Sequence, residues 1–411
     1  MDAATNAGNI SSRMYNRERV LRTILQNGGL PRVDLARQTG LTPAAISNIT
    51  RDLIDDGFLQ ELGVLPTKRV GAQSIILDLT ENQYLIGVAH QGASSLRIGL
   101  ATLKGKLAAR TEIATPQAYT PEWAANTIAE RWHTMMRNDA FAQTRLAAAG
   151  VGIVGLVDST RGLAKHMPRI GWENVPFARM LEDRLNIPIA LDNNVRGMAV
   201  GETLFGKLRA YRNVAFVYIG TGIGSGIIIE GNPYHGSHGG AGEIGHVCVD
   251  PQGEQCYCGN VGCLETTSSE TAILRRAVAM GIITENERNR SAKEATRDLA
   301  RRARQGDPLA VQLQTDVAKS IGIALANMVD LLNPSHIVLH GVITESGSEF
   351  LNIVRRAVQQ HAFLSDDDMV HIVPATFGSD AGLIGAAAVA LDSVILKRGA
   401  FLQPTPERAT V

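Results

Sequence analysis

The residues best suited to chemistry lie in one run, GEIGHVCVDPQGEQCYCGNVGCLE, over residues 242–265. The run contains all 4 cysteines of the 411-residue chain. Cys256, Cys258 and Cys263 fall within eight residues, and His246 lies ten residues before the first of them. Thiols clustered with an imidazole can form a catalytic metal centre, a structural metal clamp or a redox site.

The number of ligands separates these alternatives. One imidazole and three thiols, from His246, Cys256, Cys258 and Cys263, supply the four ligands of a tetrahedral Zn²⁺ ion. A filled shell leaves no position for an activated water, so we expect one structural zinc per chain. The spacing C-x-C-x4-C also differs from a redox Cys-x-x-Cys pair. The alternative is a set of reduced cysteines without metal, and Cys248 is expected to be a small buried residue.

Composition limits the classes of protein that fit. The chain has 40 basic and 40 acidic residues, so any nucleic-acid surface must be local. The longest apolar run, AGLIGAAAVALDSVIL, is interrupted by Asp392 and predicts a packed helix rather than a membrane span. The N-terminus lacks the apolar core of a signal peptide. We therefore predict a cytoplasmic protein without a membrane partner, in which clustered thiols serve as metal ligands.

The beginning of the chain predicts a DNA-binding domain. Residues 1–12 are small and polar, and we expect them to be disordered. The segments NRERVLRTILQN, LPRVDLARQTG and LTPAAISNITRDLIDDG predict three short helices, and FLQELG and QSIILDL can pair as wing strands. This pattern predicts a winged helix-turn-helix over residues 13–80. Arginines concentrated between residues 13 and 51 supply the local basic patch that a phosphate backbone requires.

The third helix has an apolar face, and the remaining side chains are candidates for contact with double-stranded operator DNA. The predicted contacts, which include two residues at the wing tip, are Arg32, Thr42, Pro43, Ala44, Ser47, Asn48, Arg51, Lys68 and Arg69. The alternative is a three-helix packing module with an ordinary solvated face. Paired DNA half-sites would make the protein a homodimer or homotetramer.

From Tyr84 onward, predicted strands and helices alternate, which indicates an α/β class. The turn GTGIGSG, residues 220–226, has backbone N–H groups that could hold a phosphate. That signal is weak, because a glycine-rich hairpin needs glycine for its geometry, and no Gly-Lys-Ser/Thr follows it.

The chain as a whole resembles the ROK family (repressors, open reading frames, kinases). The cysteine run resembles the family's zinc and sugar motif, and VGIVGLVD, LDNNVRGMAVGE, GTGIGSGI and DAGLIGAAA follow in the family's order. The resemblance implies an N-terminal winged helix-turn-helix followed by a two-lobed actin-like sugar-kinase fold, with sugar held in the cleft. It implies a first lobe over residues 81–200 and a second over 201–411, with a zinc loop at 246–263. The C-terminal helix would pack back on the first lobe.

The resemblance also implies which residues contact sugar hydroxyls. Carried over by position, they are Asn193, Asn194, Glu243, His246 and Glu265. His246 would then bind zinc with one nitrogen and face the sugar with the other edge of its ring. Amides and carboxylates that pair each hydroxyl discriminate against analogues that lack one.

Two departures from the family's kinases suggest a regulator rather than an enzyme. Where the kinases read Asp-Asn-Asp, this chain has Asn194 in place of the aspartate that takes the proton from the attacking hydroxyl. Ala89 or His90 stands where an aspartate should organise Mg²⁺. We therefore predict no catalytic residues. We predict a sugar-responsive repressor of carbohydrate uptake or catabolism genes, and the alternative is a bifunctional ATP-dependent sugar kinase that also binds DNA.

Overall fold

The computed structural model describes residues 2–65, 74–284, 290–363 and 370–397. The chain forms two compact units. The first contains Met1–Ala210 and Ser379–Val411, and the second contains Tyr211–Gly378. The division between the units therefore lies ten residues beyond the lobe boundary predicted after residue 200, and the C-terminal helix belongs to the first unit.

The first unit begins with three helices and a small antiparallel sheet. The elements are α1 (Asp2–Asn27), β1 (Leu30–Pro31), α2 (Arg32–Thr39), α3 (Pro43–Asp55), β2 (Leu59–Leu65) and β3 (Ser74–Leu79). The sheet order is β1-β3-β2. The structure begins α1 at Asp2, and the predicted disorder of residues 1–12 stays a prediction. The early segment contains several alanines and no proline, and this composition favours a helix.

The next part of the first unit is a sheet flanked by helices. Its strands and helices are β4 (Tyr84–Gln91), β5 (Ser95–Thr102), β6 (Leu107–Ala114), α4 (Pro121–Met136), β7 (Arg145–Ile153), β8 (Leu156–Asp158), β9 (Leu163–Met167), β10 (Trp172–Val175), α5 (Phe177–Leu185), β11 (Ile189–Asn193) and α6 (Asn194–Leu204). The main sheet has the order β11-β7-β4-β5-β6. β4 and β11 run parallel to β7, whereas β5 runs antiparallel to β4 and β6.

The second unit contains a sheet of the same pattern. Its elements are β12 (Val214–Ile219), β13 (Ile223–Ile229), β14 (Asn232–Pro233), α7 (Leu264–Ser268), α8 (Glu270–Ala279), α9 (Ala292–Arg304), α10 (Pro308–Leu332), β15 (His336–His340), α11 (Ser348–His361) and β16 (His371–Pro374). The order is β14-β13-β12-β15-β16, with an antiparallel meander followed by parallel strands. The repeated pattern is the one expected of a duplicated actin-like kinase fold.

The chain returns to the first unit as α12 (Ala381–Ala390), which continues as a π-helical segment over Leu391–Leu396. Among the described residues, one helical stretch, Gly378–Leu396, has the length and hydropathy of a membrane span. However, 83% of its apolar window is buried inside the protein, so it is a core helix, as the sequence predicts. A Cβ on Gly385 would lie 2.6 Å from the backbone carbon of Gly197, so glycine permits close packing of α12 against α6.

The DNA-binding helices share a hydrophobic core with the rest of the first unit. Val20 and Ile24 on α1 belong to the same buried cluster as Val394 in the π-helical segment. Arg22 on α1 forms an ion pair with the buried carboxylate of Asp392. The winged helix-turn-helix therefore packs against the rest of the first unit.

Candidate metal centre and binding surfaces

Helix α3 presents the predicted DNA-contact residues on an exposed face. Thr42 caps the helix by accepting a hydrogen bond from the Ala45 amide at 3.2 Å, and Pro43 occupies the first turn. Ile46 and Leu53 are buried against the neighbouring helices. The exposed predicted contacts are Thr42, Pro43, Ala44, Ser47, Asn48 and Arg51. Short polar side chains beside alanines suit the edges of bases in a major groove.

The other predicted DNA contacts differ in their surroundings. Arg32 is half-buried, and its guanidinium donates to Thr50 Oγ1 at 3.1 Å and to Glu61 at 3.1 Å. These bonds connect α2 to α3 and to the wing strand, so Arg32 has a structural role within the domain. Lys68 and Arg69 lie outside the described residues.

The predicted metal ligands lie together in the second unit. One donor atom each from His246, Cys256, Cys258 and Cys263 lies within 4.8 Å of the others. Cys256 Sγ is 3.6 Å from His246 Nδ1, and Cys258 Sγ is 3.7 Å from Cys263 Sγ. In a tetrahedral zinc site the sulfur–sulfur separation is about 3.8 Å and the sulfur–nitrogen separation about 3.6 Å. The cluster can therefore bind a metal ion, and its spacing fits zinc.

Backbone turns, rather than apolar packing, bring these ligands together. The Gly259 amide donates to Cys256 O at 3.0 Å, and the Cys256 amide donates to Asn260 O at 2.7 Å. Gly262 has φ of +70°, and a Cβ there would lie 1.6 Å from Asp250 O. Glycine is required at this position, because any side chain would collide with backbone.

Protonation of the thiols opposes metal binding in the free protein. Burial raises the pKa of the Cys263 thiol to about 12 and also raises the pKa of Cys256. A backbone hydrogen bond involving Asn260 lowers the pKa of Cys258. A metal ion must displace protons from these thiols, so affinity for the metal rises with pH. Cys248, predicted to be buried, is instead exposed and lies outside the four-donor cluster.

The glutamates at the two ends of the cysteine run have different environments. Glu265 is buried, and its carboxylate accepts a hydrogen bond from the Ile223 amide at 3.0 Å. A Cβ on Gly222 would lie 3.0 Å from the same carboxylate oxygen, so the glycine-rich turn makes room for it. Glu243 is exposed, and its carbonyl accepts from the His246 amide at 3.1 Å.

The side chain of His246 has a second partner that the sequence analysis missed. While Nδ1 faces Cys256, Nε2 lies 3.2 Å from the hydroxyl of Tyr257. The family resemblance implies that this edge of the ring faces sugar, which stays a prediction; in the structure the phenol lies next to it. The only sequence signal is a tyrosine placed between two ligand cysteines.

The start of α6 contains the two predicted amide contacts. Asn193 Oδ1 caps the helix by accepting from the amides of Val195 at 2.9 Å and Arg196 at 3.2 Å. Its Nδ2 donates to Gly155 O at 3.1 Å. Asn194 is buried, and its Nδ2 lies 3.5 Å from His90 Nε2.

A buried ion pair supports this turn of the helix. Arg196 Nε donates to Asp192 Oδ1 at 2.8 Å, and both residues are buried. Asp192 therefore neutralises a buried guanidinium in the same turn that Asn193 caps. Each of the three consecutive residues 192–194 therefore has a side-chain contact within the protein.

Comparisons with known proteins agree with this architecture. The ROK family model matches residues 86–393, and a winged helix-turn-helix DNA-binding model matches residues 15–60. The transcriptional regulator NagC of Escherichia coli is 31% identical over 85% of this chain and 86% of its own length. A glucokinase of Halalkalibacterium halodurans is 30% identical over 74% of this chain and 94% of its own.

A solved structure extends the likeness to nearly the whole chain. The crystal structure of a ROK family transcriptional regulator, a homologue of the E. coli MLC protein, matches with a TM-score of 0.81 at 27% identity. The match covers 95% of this chain and 97% of that one. This protein therefore belongs to the ROK family and combines its domain with an N-terminal winged helix-turn-helix.

Proposed function

We propose that this protein is a cytoplasmic, sugar-responsive transcriptional repressor that acts on genes for carbohydrate uptake or catabolism. The observation that carries the proposal is the exposed polar face of α3 on the same chain as a ROK domain. The relative NagC is a DNA-binding transcriptional regulator, which supports this class of function. Recognition of two half-sites would require at least a homodimer.

For DNA recognition we propose that Ser47, Asn48 and Arg51 on α3 read base edges. Arg51 Nη2 donates to Asn48 Oδ1 at 3.0 Å, which holds both exposed side chains on one side of the helix. Thr42, Pro43 and Ala44 would approach the duplex at the helix N-terminus. Arg32, Lys68 and Arg69 remain proposed phosphate or groove contacts.

For the effector we propose a sugar, or a sugar derivative, as the ligand of the ROK domain. In the second unit the proposed contacts are Glu243, His246 and Glu265, and in the first unit they are Asn193 and Asn194. Carboxylate oxygens and side-chain amides are suitable partners for hydroxyl groups. A ligand alters DNA binding only if its affinity differs between the DNA-binding and non-binding states.

For the metal we propose one structural Zn²⁺ ion per chain. His246 and the three clustered cysteines would fill its tetrahedral shell, so the ion would stabilise the loop without activating water. The donor separations of 3.6 and 3.7 Å support this choice over a redox function.

We further propose that the chain does not transfer phosphate. An amide cannot accept the proton of a sugar hydroxyl, and buried Asn194 lies beside an imidazole rather than a second carboxylate. The bifunctional kinase remains the second candidate, because the relatives include a glucokinase. Incubation with ATP, Mg²⁺ and a panel of sugars decides between them: sugar-dependent release of ADP by the native protein would establish the kinase.

The DNA-binding proposal is tested by selecting duplexes from a random library with purified protein. We expect a specific duplex to be enriched, and Asn48→Ala to weaken its binding by about 10- to 100-fold, since a bidentate base contact contributes about 1–3 kcal/mol. Arg179→Ala is the matched control, because Arg179 is exposed on α5, outside the DNA-binding domain. Failure to enrich any duplex, with or without sugars, would refute the proposal.

The effector is sought by thermal denaturation with a panel of monosaccharides and monosaccharide phosphates. A ligand at 100 times its Kd stabilises the native state by about 2.7 kcal/mol. We expect at least one compound to raise the Tm and to change the affinity for the selected duplex. A compound that raises the Tm without changing DNA binding would separate sugar binding from regulation.

A further inference from the structure

Helix α12 and the π-helical segment that follows it form one continuous helix in the first unit. At its N-terminal end, a Cβ on Gly382 would lie 2.4 Å from Cδ2 of His90. The same imidazole has its Nε2 3.5 Å from Nδ2 of Asn194, one of the proposed sugar contacts. A displacement at Asn194 would therefore reach α12 through a single side chain.

The middle of α12 has little room to absorb such a displacement. A Cβ on Gly150 of β7 would lie 1.9 Å from Ala386 O, and a Cβ on Gly385 would lie 2.6 Å from the backbone carbon of Gly197. Close-packed interiors have low compressibility and transmit strain. We therefore expect α12 to move as a rigid body rather than to deform locally.

The other end of the same helix contacts the DNA-binding domain. Asp392 is 6% exposed and forms ion pairs with Arg22 on α1 and with Lys397, whose Nζ lies 2.8 Å from Oδ2. Val394 lies in the same buried cluster as apolar residues of α1. Asp392 is ten residues beyond Gly382, which is about 15 Å along a helix axis.

Helix α1 continues this connection to the recognition helix α3. Arg17 on α1 is 4% exposed and forms an ion pair of 2.7 Å with Asp56, the C-cap of α3. Leu21 on α1 and Ile46 on α3 belong to one buried cluster. A shift of α1 would therefore change the position of the face proposed to read DNA.

The π-helical segment is a suitable place for two alternative arrangements. The Lys397 amide donates to Asp392 O, five residues back, at 3.2 Å, whereas an α-helical amide donates to the carbonyl four residues back. Turns of this kind within α-helices are rare and occur frequently at functional sites. Coupling between distant sites requires an element with two discrete arrangements, and a turn that can exchange hydrogen-bond patterns provides one.

We propose that α12 and its π-helical segment transmit a change at Asn194 to the DNA-binding domain through the ion pair of Arg22 with Asp392. This inference rests on the proposed DNA-binding function and names the contacts through which an effector would regulate it. Lys397 gives Asp392 a second partner, so the pair with Arg22 can open without leaving a buried carboxylate alone.

The test is a double-mutant cycle on affinity for the selected duplex, measured without any effector. Gly382→Ala places a methyl group against His90 and so displaces the N-terminal end of α12. We expect it to weaken duplex binding by about fivefold or more in the native background and by less than about twofold in Arg22→Gln. Arg22→Gln should fold, because Lys397 keeps Asp392 paired.

Two further variants separate transmission from a general loss of structure. Arg37→Gln is the control background, because Arg37 is exposed and pairs with Asp34 inside α2. The full effect of Gly382→Ala should remain in that background. His90→Ala combined with Gly382→Ala makes room for the methyl group and should return duplex affinity toward the native value.

Equal weakening by Gly382→Ala in the native and Arg22→Gln backgrounds would overturn the inference. If Gly382→Ala failed to fold, Asn194→Ala, which removes the amide beside His90, would take its place in the same cycle. If no duplex were selected, the repressor proposal would fail, and amide hydrogen exchange would decide the inference instead. Gly382→Ala should then change the protection of α1 amides near Arg22 in the native background but not in Arg22→Gln, and unchanged protection in the native background would overturn the inference.

Discussion

The zinc loop and the first turn of α6 both carry proposed sugar contacts, but the protein holds them by different means. Residues 194–202 of α6 are all buried, and Asn193 and Asp192 satisfy the backbone and charge of that turn with their own side chains. In the loop, most residues between Cys256 and Cys263 are exposed, and backbone turns together with the donor cluster define its shape.

With the proposed zinc ion bound, polar side chains would be fixed by the fold in one region and by an ion in the other. At the start of α6 the hydrogen-bond partners of Asn193 and Asp192 all belong to the chain. Because most residues between Cys256 and Cys263 are exposed, we propose that the bound zinc ion would contribute free energy that orders this loop. The loop should therefore respond to chelators and pH, whereas the helix should respond to changes in packing and capping.

The largest expected effect comes from removing one of the proposed zinc ligands in the loop. Cys263→Ser should abolish zinc retention after dialysis, because a closed zinc site contributes about 10–16 kcal/mol of binding free energy and here loses a buried thiolate. Sugar-dependent stabilisation should be lost, while affinity for the selected duplex changes little, since α3 belongs to the first unit. Zinc content is measured by atomic absorption and DNA affinity by fluorescence anisotropy.

Cys248→Ser is the matched control for this prediction. Cys248 is exposed and outside the four-donor cluster, so this variant should keep its zinc. Equal loss of zinc in both variants would contradict the ligand assignment. Equal loss of DNA binding and sugar response in Cys263→Ser would mean that the whole chain depends on the ion.

The next largest effect concerns the helix alone. Asp192→Asn leaves the buried Arg196 guanidinium without its carboxylate, at side-chain exposures of 5% and 2% for the pair. Breaking a buried pair costs about 3–5 kcal/mol of unfolding free energy. Urea denaturation followed by circular dichroism should detect this loss, with zinc content unchanged.

Asp183→Asn, which removes an exposed pair with Arg179, should cost less than about 1 kcal/mol. Similar values for the two variants would show that Asp192 is not a buried support.

Some features of the molecule could be predicted from the sequence, and others could not. The four donors of the candidate metal centre could be predicted because a metal requires a fixed number of donors, and their types and spacing are visible in the sequence. The recognition helix could be predicted because Thr42 and Pro43 mark its start and the isoleucines mark its buried face. Both predictions depend on local patterns that the three-dimensional structure preserves.

Other contacts could not be predicted, because no local sequence pattern indicates them. The carboxylate of Glu265 meets the Ile223 amide across 42 residues, and the hydroxyl of Tyr257 meets His246 through a turn whose direction spacing does not reveal. The capping role of Asn193 could have been found, since asparagine before a helix is a preferred N-cap. The family resemblance instead implied a contact between Asn193 and sugar, which stays a prediction.

A smaller effect distinguishes the two roles of Asn193. Asn193→Ala removes the cap and should lower the free energy of unfolding by about 1 kcal/mol. Asn193→Asp keeps a good capping oxygen but loses the donor to Gly155 O, so its stability should lie closer to native. Both are measured by urea denaturation and by the sugar-induced shift in Tm. If both variants kept native affinity for the effector, Asn193 would be only a cap.

The smallest expected effect is in the opposite direction, toward an activity. Asn194→Asp restores the side chain that acts as a base in the family's kinases, yet we expect sugar-dependent ADP release to remain at the level of the blank. The new carboxylate would lie beside the ring of His90, whose Nε2 is 3.5 Å from the present amide. The end of β4 would still supply no carboxylate for Mg²⁺.

The double variant His90→Asp with Asn194→Asp tests this explanation. Turnover in the double variant alone would show that the two replacements act together, whereas turnover in Asn194→Asp alone would show that this amide was the sole barrier to catalysis.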